Sequence, residues 1–246
     1  MKLLRVIRSL TEIAELPSGL LNLYQARPRS LASLKIVEGL KKEGINFKTV
    51  IDGGANIGQF ARAVSTGFPQ AQVYSFEPLP DIANQFKANL ADAKERVHIT
   101  ESALGSENGE ITINRCSASQ SSSILKLEDS GKDGLLDSVK EIGQFKVPIV
   151  SLDNFFSTIT PKNPILLKLD LQGFELEALK GAEKLLLNVD CVLVETVFKQ
   201  AYIGEPFFED ILDFLKKFGL RFRRPLSFVS EASGEIVQID ALFTKR

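Results

Sequence analysis

From Thr49 onward, short apolar runs alternate with stretches of helical periodicity. "TVID", "QVYSFE", "RVHIT", "PILLKLD" and "DCVLVET" have the length and β-branched content of buried strands, and helical patterns separate most of them. Strand–helix alternation implies parallel pairing in a sheet covered on both faces, so the expected fold is a doubly wound, Rossmann-like α/β sheet. After the helix "FFEDILDFLKKFG" the pattern changes: "RPLSFVS", a turn at "EASGE" and "IVQIDALFTK" read as an antiparallel C-terminal hairpin closing one edge.

The N-terminal region has a different rhythm. Leu3, Leu4, Ile7, Leu10 and Ile13 recur at helical spacing, with Lys2, Arg5 and Arg8 between them, which predicts an amphipathic helix. Such a helix covers the domain or a second subunit, giving a route to a homo-oligomer; its basic face also suits a membrane surface. A second helix is expected over 31–42, stopped at Gly44. The expected division is a helical extension, 1–44, and one domain, 45–246. Between Gly105 and Ser151 only "GEITINR" reads as a strand, while "SASQSSS" and "LEDSGKDG" are polar and turn-rich, suited to a mobile lid or a solvated linker.

Composition narrows the class of partner. The 246 residues, 44% hydrophobic and 25% charged, suffice for one full core. With 30 basic and 31 acidic residues the net charge is -1, so no overall field draws nucleic acid or anionic lipid, and no basic stripe interleaved with stacking aromatics is present. Cys116 and Cys191 fit neither a disulfide framework nor a metal pattern, which suits a reducing cytoplasm. No apolar run approaches the ~18 residues of a spanning helix, and no cleavage site follows "MKLLRVIRSL". A soluble, cytoplasmic protein is expected.

In an open parallel sheet, ligands bind beyond the carboxyl ends of the strands. The expected strands end at Asp52, Glu77, Glu101 or Ser102, Asp170 and Glu195, so carboxylates dominate one rim. Behind Asp52 lies the glycine turn of "VIDGGANIGQF", which matches the dinucleotide fingerprint only at its ends, because Ala55 stands where the second glycine belongs. Glu77, 77 − 58 = 19 positions after Gly58, is placed to accept ribose hydroxyls. Asp52 favours an adenosine ligand with a cationic end over a pyrophosphate, and S-adenosylmethionine carries both features. A nicotinamide-dependent oxidoreductase and a non-catalytic cofactor-binding module remain the alternatives.

"VIDGGANIGQF", "VYSFEPLPDIANQFKANL", "VPIVSLDNFF", "LLKLDLQGFELEALKGAEKLL" and "DALF" together resemble, in order and spacing, the FkbM-type family of S-adenosylmethionine-dependent methyltransferases. The resemblance covers roughly residues 45–244, and its most specific part is D-x-Q-G-x-E followed by L-K-G-A. It implies O-methylation of a sugar or secondary-metabolite hydroxyl on a methyltransferase sheet with a reversed last strand. It also implies cofactor contacts at Asp52, Gly54, Asn56, Gly58 and Glu77, with Ser102 or Ala103 near the adenine. Gly53 departs from the family, which often has valine there.

The fourth strand supplies the candidate chemistry. Lys168 interrupts a buried run, and burying it unpaired is costly, so it should pair with Asp170 or Glu195 or reach the ligand. Methyl transfer needs an aligned acceptor oxygen and gains from a base. Asp170, Glu175, Glu195 and Lys168 are the catalytic candidates, although Glu175 also suits a plain helix N-terminus. The three acids offer oxygen ligands for Mg²⁺, but their spacing is not diagnostic and no metal is expected. His98 begins its strand, at the wrong end for catalysis. Among Phe198, Tyr202, Phe207 and Phe208, Tyr202 is the expected acceptor contact.

Overall fold

The computed structural model of the protein describes residues 28, 30–117, 122–126 and 140–245. The amphipathic helix expected near the N-terminus and the stretch "LEDSGKDG" lie outside the described residues.

Ten strands and seven α-helices are described. In chain order they are α1 (Leu31–Lys41), β1 (Thr49–Gly53), α2 (Gln59–Gly67), β2 (Gln72–Phe76), α3 (Pro80–Asn89), β3 (Val97–Thr100) and β4 (Ala103–Leu104). There follow β5 (Gly109–Cys116), β6 (Glu141–Val150), α4 (Leu152–Phe155), β7 (Ile165–Leu169), α5 (Glu175–Lys180) and α6 (Glu183–Leu186). The last are β8 (Cys191–Val197), α7 (Phe208–Lys216), β9 (Arg221–Ser230) and β10 (Ile236–Thr244).

The main sheet has the order β3-β2-β1-β7-β8-β10-β9. Strands β3 to β8 in this order pair in parallel, and β10 runs antiparallel to both β8 and β9. All five residues of β1 and of β7 are buried, as expected of central strands covered on both faces. Alternate residues feed two cores. Ile51, Leu167, Leu169, Val192 and Val194 pack with Leu152, Leu179, Leu186 and Leu215 from α4 to α7. Val50, Val73, Leu166 and Leu193 pack with Val37, Leu40, Val64 and Phe86 from α1 to α3. Ile36, Val37 and Leu40 of α1 thus belong to the core of the sheet, so the folded unit includes a helix from the stretch expected as an extension. Ser30 caps α1, its Oγ accepting the Ser33 N–H at 3.1 Å.

The expected strand "GEITINR" is β5, but the sheet it joins was not foreseen. β4, β6 and β5 form a separate three-stranded sheet, with β6 running through part of the expected lid or linker. Its apolar side sets Ala103, Ile113 and Val147 against Leu79 and Ile82 at the start of α3. This second layer therefore stands over the carboxyl end of β2. A further correction concerns Glu195: β8 continues to Val197, so Glu195 lies within the strand, opposite Asp240 of β10.

Candidate active site

The strand order reverses between β1 and β7, each leading away to opposite sides of the sheet, and the crevice expected at such a reversal lies beside the glycine turn. Gly54 (φ 73°) and Asn56 (φ 47°) are left-handed, and the amides of Gly54 and Ala55 both donate to the Phe76 carbonyl, at 3.1 and 3.0 Å. A Cβ on Gly54 would lie 1.8 Å from the carbonyl oxygen of Asp170, so the glycine lets the ends of β1 and β7 meet. Gly58 (φ 94°) serves packing, because a Cβ there would strike Phe86 and Leu90 of α3. At Gly53 the neighbours are methyl groups of Leu104 and Leu169, both 2.9 Å from an added Cβ. Its role is steric.

Glu77 lies just past β2 and is 7% exposed. Its Oε2 accepts the Asn56 N–H and its Oε1 the Leu79 N–H, both at 3.0 Å. A carboxylate has about four acceptor positions, so both oxygens retain capacity for ligand hydroxyls. Burial raises its pKa to about 7, against the opposing pull of those two amides. Glu77, Gly54, Asn56, Ser102, Ala103 and Asp170 all line one cleft, with Leu79 and Leu104 supplying apolar surface. The Ser102 hydroxyl itself donates to the Pro148 carbonyl at 3.1 Å and so ties the cleft to β6.

Lys168 has a partner that the sequence reading did not name. It sits opposite Asp52 in the β1–β7 register, and its Nζ lies 3.2 Å from Asp52 Oδ1 and 3.6 Å from Asp170 Oδ2. The carbonyls of Gly53 and Gly54 accept from it at 3.3 Å each, and the Phe60 ring centroid is 5.5 Å away. Burial opposes the ammonium charge, yet the Asp52 and Asp170 carboxylates outweigh it and hold the Lys168 pKa above its ordinary value. Burial likewise pushes the Asp52 carboxyl up, with Lys168 pulling it back. Asp52 is wholly buried and faces Lys168 rather than the cleft. With all three groups ionised, two carboxylates and one ammonium leave one negative charge, which suits a cationic ligand.

Gln172, quoted in the D-x-Q-G-x-E motif but given no role there, joins the remaining acids. Its Nε2 donates to Asp170 Oδ1 at 2.7 Å and to Glu195 Oε2 at 2.8 Å, while its Oε1 accepts the Tyr202 hydroxyl at 2.9 Å. Gln238 donates to the other oxygen of Glu195. Burial, with the charges of Asp170 and Asp240, raises the Glu195 carboxyl well above its usual range. Tyr202, expected to touch an acceptor, is 2% exposed and stands behind Gln172. Glu175 is buried, its Oε1 accepting the Leu171 N–H at 2.6 Å, and burial raises its pKa to about 8. It braces the turn into α5. Phe208 packs against Phe222 and Phe243 instead of forming an open platform. His98 is a surface residue beside Gln72.

Among the described residues, no group of three or more His, Cys, Asp or Glu side chains is arranged to hold a metal ion. No described helix is long and apolar enough to cross a membrane.

The profile of the methyltransferase FkbM domain matches residues 52–222. The 2-O-methyltransferase NoeI of Sinorhizobium fredii is 26% identical over 83% of this chain and 90% of its own length. The hexuronic acid methyltransferase AglP of Haloferax volcanii is 28% identical over 65% of this chain and 60% of its own. Magnesium protoporphyrin IX methyltransferase from Synechocystis, solved with SAM bound, shares the fold at a TM-score of 0.50 and 11% identity, over 87% of this chain and 78% of that one. The donor set fits that cofactor: a buried carboxylate with spare acceptor capacity, an apolar edge, and the half-exposed Asp170 carboxylate on the cleft. The chain belongs to the FkbM methyltransferase family and is an S-adenosylmethionine-dependent methyltransferase.

Proposed function

We propose that the protein methylates a hydroxyl oxygen of a sugar or secondary metabolite; the names of two curated relatives, a 2-O-methyltransferase and a hexuronic acid methyltransferase, support an oxygen acceptor and a sugar. When bound, the cofactor supplies a methyl group on a positively charged sulfur. The chain's own residues bind, align and take up a proton. Glu77 accepts the ribose hydroxyls, Ser102 and Ala103 flank the adenine, and the backbone at Gly54 and Asn56 borders the donor. Gly58 supports this turn through its packing on α3. Asp52 acts through Lys168, which it holds beside Asp170.

The observation that carries the reading is Asp170. It lines the cleft, its side chain is 36% exposed, and it adjoins Gly54, so a hydroxyl entering there meets a carboxylate able to take its proton. Glu175 and Glu195 are committed to the scaffold and act as supports. Cys116 and Cys191 are buried and outside any disulfide, which suits a reducing cytoplasm.

Incubation with methyl-labelled S-adenosylmethionine and a panel of neutral sugars, uronic-acid glycans and hydroxylated metabolites tests the reading by mass spectrometry. Label on an acceptor oxygen is expected. Label confined to nitrogen or carbon, or absent from every acceptor, would overturn it.

A further inference from the structure

Gln172 has three features that a loop residue without a task rarely combines. Its backbone is left-handed (φ 55°), a conformation uncommon outside glycine, and such strain persists only where surroundings impose it. The surroundings are visible: Ser123 Oγ donates to the Gln172 carbonyl at 2.6 Å, and Gly173 continues the turn at φ 96°. The side-chain amide then makes three bonds with one consistent polarity. Reversing it would set Oε1 against two carboxylate oxygens, so the acids fix which end faces them, while the Tyr202 hydroxyl holds the other end.

We propose that Gln172 is a positioning residue: anchored by Tyr202 and Glu195, its amide aims the Asp170 carboxylate into the cleft for proton uptake. The inference rests on Asp170 as proton acceptor, the reading given above. As the acceptor oxygen bonds to the methyl carbon, the carbon–sulfur electron pair returns to sulfur and the hydroxyl proton passes to Asp170. One Asp170 oxygen is occupied by Gln172 and the other lies toward Lys168, so the carboxylate cannot swing freely. The charged groups around the pair are Lys168 on β7, Asp52 on β1, Asp240 on β10, Glu175 at the start of α5 and Glu205 before α7.

Three variants test this. Gln172→Asn preserves a residue tolerant of the left-handed backbone but is too short to bridge both acids; Gln172→Met keeps length without polarity; Tyr202→Phe removes the anchor behind the amide. All should retain the cofactor affinity within about twofold, while kcat falls about 10- to 100-fold in the Gln172 variants and less in Tyr202→Phe. The acid limb of the kcat profile should move to higher pH, because a hydrogen bond favouring the ionised base is gone. A merely structural residue would lower melting temperature without moving that limb. Unchanged kcat in a folded Gln172→Asn, or a loss with the limb unmoved, overturns the proposal. Should the wild type methylate no hydroxyl, the functional reading fails separately. Gln172 is then judged on the free protein by carbon-13 titration of the site carboxyls, and an identical titration in Gln172→Met overturns it.

Discussion

At the residue scale, the ribose contact proposed for Glu77 predicts a pH-dependent cofactor affinity. The Glu77 carboxyl is raised to about 7 by burial, and ribose hydroxyls are best accepted by the ionised form. The sign follows: protonation competes with binding, so affinity is full above about pH 7 and weakens as pH falls, approaching tenfold per unit well below that value. Calorimetry with S-adenosylhomocysteine at several pH values measures this, and Glu77→Gln should bind more weakly with a flatter profile. A wild-type affinity constant from about pH 5.5 to 8 would refute the role. Much at this scale was legible: Glu77, Gly54, Asn56, Ser102, Ala103 and Asp170 fall on the cleft, since strand ends and glycine turns are written in local sequence. Gln172 was not. Its task arises from Glu195 and Tyr202, which are distant in the chain and gathered by β8 and the loop after it.

At the element scale, the parallel register of β1 and β7 decides which charge neutralises which. Sequence spacing pointed Lys168 toward Asp170 or Glu195, and Asp170 is there at 3.6 Å; the neighbouring strand adds Asp52, wholly buried and in register, at 3.2 Å. Register between strands far apart in the chain is a tertiary property that periodicity does not encode. Lys168→Met should strand the Asp52 carboxylate and cost about 3–5 kcal/mol in urea unfolding. Adding Asp52→Asn should restore much of that loss, giving a coupling energy that additive single effects would disprove. The second sheet escaped sequence reading for a related reason. β6 is mostly exposed, with Ile142 and Phe145 on its surface, and Gly143 and Pro148 interrupt it as turn residues do, so it does not read as a half-buried strand.

For the molecule as a whole, the sheet order allows a forecast of local stability. β1 and β7 are paired on both sides and fully buried, while β9 has one free edge and mostly exposed residues. Hydrogen exchange should therefore be slowest in β1 and β7 and fast along the outer edge of β9. Protection of β9 equal to that of β7 would mean that something covers the edge. The alternating strand–helix pattern foretold the doubly wound sheet and its antiparallel hairpin, because each element there carries its own periodicity.

The insertion of β10 between β8 and β9 has a consequence for biogenesis. During synthesis β8 and β9 both emerge before the strand that joins them, so each waits with an unpaired edge that invites the wrong neighbour. Gln238 and Asp240 travel on that late strand, one holding Glu195 and the other facing it. Glu195 therefore lacks its β10 partners until that strand has emerged, and a nascent chain stalled before β10 carries two adhesive edges.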